Sequence, residues 1–253
     1  MLMARALAPS PMFQNHTVAV VVPAYNEEAT IADVVAEFTA QEHVDRVVVV
    51  DNNCKDRTAE LAAGAGAEVI VESAPGYGCA IRAGLDHAAA TGADILVITE
   101  ADGSFQAADL PKLLHYLEDC RMVLGTRTTR QMVEQGANMD KKLRWGNVTM
   151  AKWLELCWYL PHEPRLTDVG CSYRALWRDA WAQIKPGTRE AGPSFSPEMI
   201  CEAYRQGLRV IEIPVHYGAR LGGESKHSDG FIKVAKTAIG MFRTICRKRF
   251  LGS

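Results

Sequence analysis

The 253-residue sequence contains no apolar run long enough to cross a bilayer and no Cys-x-x-Cys pair. Its seven cysteines are an odd number and are scattered, at positions 54, 79, 120, 157, 171, 201 and 246. The first observation argues against a membrane-spanning chain, and the second argues against a disulfide scaffold or a zinc site. Scattered, unpaired cysteines are typical of reduced thiols in a cytoplasm.

The chain also lacks a strong excess of charge, because its formal net charge is only −2. A general nucleic-acid binder is normally strongly basic, so this class of protein is argued against. The content of 48% hydrophobic and 23% charged residues is that of an ordinary soluble globular protein. No feature of the sequence indicates an oligomeric state.

Several motifs of nucleotide-binding enzymes and hydrolases are missing. Gly76-Tyr77-Gly78 follows the third predicted strand and lacks the third glycine of a dinucleotide fingerprint. No glycine-rich phosphate loop with a lysine follows the first strand, and no Gly-x-Ser-x-Gly elbow is present. These absences argue against a dehydrogenase, a P-loop enzyme and an α/β-hydrolase.

The sequence does contain short β-branched runs that alternate with helical patterns, which predicts βαβ units and a mainly parallel open sheet flanked by helices. The predicted strands are 17–22, 46–50, 68–71, 94–99 and 122–124, and the helices between them are 29–40, 56–63, 79–90 and 107–118. A polar stretch at 126–145 is interpreted as a mobile loop. A mixed second half follows, with helices near 144–160 and 197–206, a short strand after Asp168 and a strand at 209–213.

Acidic residues follow the first, second and fourth predicted strands, where the ligands of open α/β sheets bind. Glu100 and Asp102 are two residues apart, so an extended backbone would direct both carboxylates to one side, where they could hold a hard divalent cation. Such an ion would neutralise a diphosphate and make it a better leaving group. The alternative is that both are ordinary turn acids, because Asp-Gly is itself a turn dipeptide.

The ends of the first two strands offer groups that could bind a nucleoside. Pro23 and Tyr25 could pack on a base, while Glu27 and Asp51 could accept hydrogen bonds from a ribose or base. The alternatives are local: the acid after strand two could cap the next helix, and Glu27 could simply favour a helix dipole.

These motifs, in this order, resemble the family 2 glycosyltransferases, and among them the dolichyl- or polyprenyl-phosphate sugar synthases. The resemblance covers roughly residues 17–250. It is carried by Val-Val-Val-Pro-Ala-Tyr-Asn-Glu-Glu at 20–28, Val49-Val50-Asp51, Gly76-Tyr77-Gly78, Glu100-Ala101-Asp102, Gly125-Thr126-Arg127, Thr167-Asp168, Arg174, Glu198, Arg220 and Gly223-Glu224-Ser225-Lys226. It implies a GT-A fold, a nucleoside-diphosphate sugar donor, Mg²⁺ or Mn²⁺, and inversion at the anomeric carbon.

The resemblance also implies the roles of individual residues. Catalysis would involve Asp102, Asp168 and Arg127, and the metal would be held by Glu100 and Asp102. The acceptor would be bound by Arg127, Arg144 and Arg174. The donor would be bound by Pro23, Ala24, Tyr25, Glu27, Asp51, Asn53, Gly78, Arg82, Ala101, Arg220 and Lys226.

Three positions depart from the family pattern. Asp51-Asn52-Asn53-Cys54 stands where Asp-Asp-Gly-Ser is usual, and Glu100-Ala101-Asp102 stands where Asp-x-Asp is usual. Gly76-Tyr77-Gly78 replaces Gly-Lys-Gly and so removes a cation, for which Arg82 is a candidate substitute.

The C-terminal segment at 231–250 has apolar residues at helical spacing and six basic residues with no acid. This pattern is typical of a helix that lies in an anionic membrane interface. The alternative is a helix packed on the catalytic domain with a solvated basic face. We therefore predict a leader at 1–16 that is flexible, a GT-A domain at 17–228, and a basic amphipathic helix at 229–253.

The functional expectation is transfer of a sugar from a UDP- or GDP-sugar to a polyprenyl phosphate on the cytoplasmic face of a membrane. A phosphate oxygen is already nucleophilic, so this reaction requires no strong general base. One alternative keeps the donor and uses a hydroxyl acceptor, with Asp168 as general base. Another is a nucleotide-sugar-binding module that has lost catalysis.

Overall fold

The computed structural model describes residues 13–134, 137, 141–162, 164–220 and 231–251, and contains one seven-stranded sheet. The strands are β1 (Val18–Ala24), β2 (Arg46–Asp51), β3 (Glu68–Val71), β4 (Ile95–Ile98), β5 (Met122–Thr126), β6 (Arg174–Trp177) and β7 (Val210–Pro214). The helices are α1 (Ile31–Thr39), α2 (Thr58–Gly64), α3 (Tyr77–Ala90), α4 (Leu110–Tyr116), α5 (Lys141–His162), α6 (Arg178–Ile184), α7 (Phe195–Arg205) and α8 (Phe231–Cys246).

The strand order is β3-β2-β1-β4-β6-β5-β7, and only β6 runs antiparallel to its neighbours. Strands β1 to β4 pair in parallel, so their carboxyl ends share one edge of the sheet. The segment before β6 reaches that same edge because β6 runs in the opposite direction. The topology therefore brings the ends of β1, β2, β4 and β5 together with residues 167–173.

The sheet is buried on both faces, as parallel sheets are. Along β1, Val18, Val20 and Val22 enter one apolar core with α1 and α4. Ala19 and Val21 enter a second core with α3, α5, α6, α7 and α8. The alternation follows from the two-residue period of a strand, and it accounts for a continuous apolar run where neither face is solvated.

The predicted α/β class and mainly parallel open sheet are confirmed, and each predicted strand of the first half is present with shifts of one or two residues at its ends. Two elements differ from the prediction. Helix α6 was not predicted, and α5 begins at Lys141, inside the stretch interpreted as a loop. Within the segment predicted as a flexible leader, Phe13 is buried with ring contacts to His43 and His115.

The C-terminal helix is part of the second core instead of a separate unit. Helix α8 packs against α5 and α7, and a π-helical turn, Arg247–Leu251, follows it. Lys248 is fully buried and contacts Glu198 at 3.1 Å and Glu202 at 3.0 Å. Arg247 contacts Glu190 at 2.7 Å. Arg249 Nε donates to the Cys157 carbonyl at 2.6 Å. Three of the six basic residues therefore contact groups within the protein, so the six do not form the single solvated face of the alternative interpretation.

Candidate active site

The loops after β1 and β2 interlock at the shared edge of the sheet. Ala24 and Asp51 are register partners, and the backbone N–H of Asn26 donates to the Cys54 sulfur at 3.3 Å. Asp51 Oδ1 accepts the Cys54 N–H at 2.8 Å. Asn26 and Asn53 have φ of 53° and 67°, a left-handed conformation that asparagine tolerates. Tyr25, in the first of these two loops, has an exposed side chain.

Asn52 organises the segment that leads into α3. Its amide nitrogen donates to the carbonyls of Glu72 and Ala74, each at 2.8 Å, and its oxygen accepts the Gly76 N–H at 2.8 Å. A carboxylate could accept the last bond but could not donate the first two. The asparagine that replaces the family's second acid therefore has a structural role in this chain.

The glycines at the start of α3 allow a second loop, residues 189–192, to approach closely. A Cβ at Gly76 would lie 2.4 Å from the Ala191 carbonyl oxygen, and one at Gly78 would lie 2.1 Å from that of Glu190. The N–H of Gly78 donates to Ala191 at 2.7 Å, which makes packing the observed reason for this glycine. Arg82 donates to the Glu190 carbonyl at 2.8 Å, so its guanidinium is engaged with the same loop.

Glu100 and Asp102 follow β4 at the centre of the edge, and we call them the acidic pair. Asp102 is buried, and its Oδ1 accepts hydrogen bonds from the Ser104 N–H at 3.0 Å and hydroxyl at 2.6 Å. Glu100 accepts the Ser172 hydroxyl at 2.5 Å. Between them, the Ala101 carbonyl accepts the Thr30 hydroxyl at 2.7 Å. Each carboxylate thus has one oxygen fixed by a serine, which orients the other.

Burial and mutual repulsion both disfavour the charged form of Glu100 in the acidic pair. Burial, followed by the negative charge of Asp102, raises the pKa of Glu100 to about 7. Burial and the charge of Glu100 raise the pKa of Tyr77 to about 12, so its phenol stays a hydrogen-bond donor. The tyrosine that replaces the family's lysine therefore lies close to the glutamate that replaces its aspartate.

Arg127 and Asp168 form a bidentate pair beside the acidic pair. Arg127 Nε and Nη2 donate to the two carboxylate oxygens at 2.8 and 3.0 Å, and Asp168 is fully buried. Asp168 also accepts the N–H groups of Arg127 and Gly170, at 3.2 and 3.0 Å. The Arg127 guanidinium lies 5.2 Å from the Tyr217 ring centre. This geometry fixes the guanidinium firmly, as a bidentate pair does.

The acidic pair fits a hard divalent cation. Within the described part of the chain, Asp102 Oδ2 is buried without a hydrogen-bond donor, while Arg220 Nε lies 3.0 Å away. No group of three or more His, Cys, Asp or Glu side chains that could hold a metal occurs among the described residues. Mg²⁺ is commonly bound through one or two carboxylates, with substrate phosphates completing its shell, and the acidic pair is such a donor set.

The structure corrects the predicted role of one site residue, Arg174. Arg174 is fully buried, and its guanidinium donates to the carbonyls of Cys171, Ser196 and Val169 at 2.7, 2.6 and 3.0 Å. These bonds make it a support of the chain around β6, not an acceptor ligand. Arg144 is half-buried in α5. Lys226 lies outside the described residues.

Sequence reasoning missed Ser172 and Tyr217. Ser172 reaches Glu100 only because β6 inserts between β4 and β5, and no local pattern signals that insertion. Tyr217 is buried against Arg127, in the segment that follows β7. Its distance in sequence from Arg127 conceals this contact. The departure at Tyr77 was visible in the sequence, but its proximity to Glu100 was not.

An open, mainly parallel sheet with an acidic pair at its carboxyl edge and a fixed arginine beside that pair is the arrangement of the GT-A class of proteins. The chain matches Glycosyl transferase family 2 over residues 19–168, and it belongs to that family. It is 38% identical over 213 residues to an uncharacterized glycosyltransferase of Mycobacterium tuberculosis, which covers 83% of this chain and 89% of the relative.

Two further relatives have names that state an acceptor. An undecaprenyl-phosphate mannosyltransferase of Micrococcus luteus is 27% identical, over 84% of this chain and 88% of its own length. A dolichyl-phosphate hexose transferase of Haloferax volcanii is 28% identical, over 81% and 84%. The glucosyl-3-phosphoglycerate synthase of Mycobacterium tuberculosis, solved with Mn²⁺, UDP and glucosyl-3-phosphoglycerate, has a TM-score of 0.69 at 20% identity and covers 93% of this chain and 81% of its own. The last likeness establishes the GT-A fold.

Proposed function

We propose that this glycosyltransferase moves a sugar from a UDP- or GDP-sugar to a polyprenyl phosphate at a membrane surface, with inversion at the anomeric carbon. The donor's nucleoside would lie on Tyr25 and Asp51, and its diphosphate at the acidic pair. Mg²⁺ or Mn²⁺ held by Glu100 and Asp102 would neutralise the leaving diphosphate. The relatives that act on polyprenyl phosphates support this choice of acceptor.

The state of Asp168 favours a phosphate acceptor over a hydroxyl acceptor. Both of its oxygens accept from Arg127, and one also accepts from Gly170, so a proton acceptor's lone pairs are already engaged. A hydroxyl nucleophile would need a general base at this position, whereas a phosphate oxygen does not. Asp168 then acts by positioning Arg127, whose guanidinium would bind the phosphate of the acceptor.

The observation that carries the lipid part of the proposal is an exposed surface of α5 and the C-terminal helix, which we call the α5–α8 face. Its members are large apolar side chains and cations: Trp145, Lys152, Leu156, Tyr159, Lys236, Ile239, Phe242, Arg243, Arg249, Phe250 and Leu251. The Trp153 and Phe242 rings, 5.2 Å apart, join the two helices. No helix in the described ranges is long and apolar enough to span a bilayer.

The α5–α8 face begins beside the proposed acceptor site. A Cβ at Gly170 would lie 3.2 Å from the Asn147 side-chain oxygen of α5 and 3.3 Å from Arg127 Nη2. Arg144 and Trp145 precede Asn147 by less than one turn of the same helix. Aromatic and basic residues are typical of membrane interfaces, so this surface suits a lipid whose phosphate reaches Arg127.

The acceptor is tested with a short-chain polyprenyl phosphate and its dephosphorylated alcohol, with the donor identified by a binding screen of nucleotide sugars. We expect transfer to the phosphate only. Arg144→Ala should raise the acceptor KM by about tenfold to a hundredfold, the loss of one charge-assisted hydrogen bond, without changing donor affinity. Arg178→Ala is the matched control, because Arg178 follows β6 at the opposite edge of the sheet.

Two results would contradict the acceptor assignment. One is transfer to the alcohol as well as the phosphate. The other is loss of kcat by about 10² to 10⁴ in Asp168→Asn with an unchanged KM, because a general base behaves in this way. Either result would leave the donor chemistry intact.

The membrane part is tested by co-sedimentation with anionic vesicles. Wild type should sediment at low salt and be released by high salt, since electrostatic attraction to the lipid surface is screened. Leu156→Ser with Tyr159→Ser should weaken binding by about tenfold. Val71→Ser, which removes a side chain 75% exposed on β3, should not. Equal loss in both proteins would contradict a specific lipid-facing surface.

A further inference from the structure

The two carboxylate oxygens of Asp102 have different partners. Oδ1 accepts two hydrogen bonds from Ser104, which fixes the plane of the carboxylate. Oδ2 is buried, and among the described residues it receives no hydrogen bond, although Arg220 Nε is 3.0 Å away. Arg220 Nε is itself buried without a hydrogen-bond acceptor in the described chain. The N–H therefore does not point at the oxygen, and the contact is one of charge alone.

The neighbouring pair of Arg127 and Asp168 is an aligned, hydrogen-bonded salt bridge. Arg127 donates two aligned hydrogen bonds to Asp168, at 2.8 and 3.0 Å. Charge-assisted hydrogen bonds are about twice as strong as neutral ones and depend on alignment. Arg220 keeps a similar distance to its carboxylate without that alignment. Of the two arginines, Arg220 is thus the one that can leave its carboxylate at low cost.

The oxygen that Arg220 contacts is the one a divalent cation needs. Because Oδ1 is turned to Ser104, a cation shared with Glu100 must bind Oδ2. A carboxylate oxygen lies about 2.0 to 2.1 Å from Mg²⁺, so a guanidinium nitrogen 3.0 Å from the same oxygen would be strongly repelled by the ion in this buried setting. The two cations therefore compete for Asp102 Oδ2.

We propose that Arg220 is a placeholder cation: it neutralises Asp102 Oδ2 in the metal-free protein, a divalent ion displaces it, and the freed guanidinium then binds the donor's diphosphate. This inference rests on the metal and donor assignments of the proposed function. The exchange keeps a positive charge on a buried carboxylate at every stage, which avoids an unpaired buried anion. It also delivers a second cation when a diphosphate needs neutralisation.

The exchange makes two opposite predictions for one substitution. Without Arg220 the metal has no competitor, so Arg220→Gln should bind Mn²⁺ alone more tightly, by about fivefold to tenfold. With Mn²⁺ saturating, the same variant should bind UDP or GDP about tenfold more weakly, because the freed guanidinium is missing. A residue with a merely structural role would weaken both affinities together.

The experiment titrates Mn²⁺ alone into the protein and counts free Mn²⁺ by electron paramagnetic resonance. Arg220→Lys keeps the charge and should stay near wild type, and Arg178→Gln controls for the loss of one arginine elsewhere. Thermal melts report folding independently. Arg220→Gln should melt below wild type in EDTA, where Asp102 is left unpaired, and should regain that difference in Mn²⁺.

Unchanged or weaker Mn²⁺ binding by a folded Arg220→Gln would overturn the exchange. Asp102→Asn separates this failure from that of the proposed function. If Asp102→Asn loses Mn²⁺ binding while Arg220→Gln equals wild type, the metal site stands and the placeholder role is wrong. If Asp102→Asn binds Mn²⁺ like wild type, the metal site itself is wrong, and with it the exchange.

Discussion

Two buried clusters of acidic residues in this molecule have different partners for their carboxylates. In the first, the acidic pair, Asp102 Oδ2 has a charge contact with Arg220 but no hydrogen bond in the described chain. In the second, Glu198 and Glu202 surround the ammonium of Lys248, which also donates to the Gly187 carbonyl. All three donors of that ammonium have partners.

The difference separates a cluster built for stability from one that remains free to bind a ligand. Glu198 uses both oxygens, since Oε2 accepts the N–H groups of Arg189 and Glu190 at 2.8 and 2.7 Å. This saturated cluster holds the loop 189–192 against Gly76 and Gly78. The carboxylate of Asp102 is incompletely hydrogen-bonded, which costs stability, and such groups are common at functional sites. The comparison predicts opposite consequences for removing one charge from each cluster.

The largest effect is expected at the acidic pair. In wild type, UDP or GDP should raise the melting temperature only with Mg²⁺ or Mn²⁺, since the carboxylates otherwise repel a diphosphate. The gain should reach about 2.7 kcal/mol at a hundredfold excess over Kd. Asp102→Asn should abolish this gain and lower transfer by at least about a hundredfold. Equal stabilisation by the nucleotide in EDTA would contradict the metal assignment.

The saturated cluster should respond in stability instead. Lys248→Met removes the buried cation that Glu198 and Glu202 share, while Arg247 still contacts Glu198 at 3.5 Å and Arg205 still contacts Glu202 at 2.9 Å. Loss of the shared buried cation should lower the free energy of unfolding by about 3 kcal/mol in urea titrations. Lys236→Met makes the same substitution at an exposed position of α8 and should change stability by less than about 0.5 kcal/mol. A loss below about 1 kcal/mol in Lys248→Met would show that these carboxylates are not held by this lysine.

The same comparison shows how far the sequence carries the prediction. The strands and the acidic pair could be predicted because apolar β-branched runs and the residues that directly follow them are local signals. Whether a basic side chain is buried or exposed is not a local signal in the sequence. Arg174 and Lys248 have the same sequence character as solvated cations, yet both are fully buried. Their acceptors come from segments that only the folded chain brings near.

The sequence also gave no sign that two departures from the family pattern interact with each other. Tyr77 and Glu100 were each recognised as departures from the family pattern, and their separation of 23 positions gave no reason to connect them. In the structure, the charge of Glu100 contributes to the raised pKa of Tyr77. Asn52 presented a similar case, since the bonds that explain it run to Glu72, Ala74 and Gly76.

Glu212 on β7 is half-buried, and the contacts of its carboxylate are hydrogen bonds from Thr167 and Asp168. Its carboxylate accepts the N–H groups of Thr167 and Asp168 at 2.8 to 2.9 Å and the Thr167 hydroxyl at 2.7 Å. Burial, opposed by these bonds and aided by the charge of Asp168, raises the pKa of Glu212 to about 7.

Because the folded pKa of Glu212 exceeds its ordinary value of 4.5, its contribution to stability is fully present below that value and is lost as pH rises through about 7. The free energy of unfolding should therefore fall between pH 5 and pH 8, by roughly 2 to 4 kcal/mol from this group. Glu212→Gln keeps an acceptor for both N–H groups and should remove that part of the slope in urea titrations, while the exposed Glu42→Gln should retain it. A slope unchanged in Glu212→Gln would mean that the hydrogen bonds outweigh burial and that this carboxylate is ionised throughout.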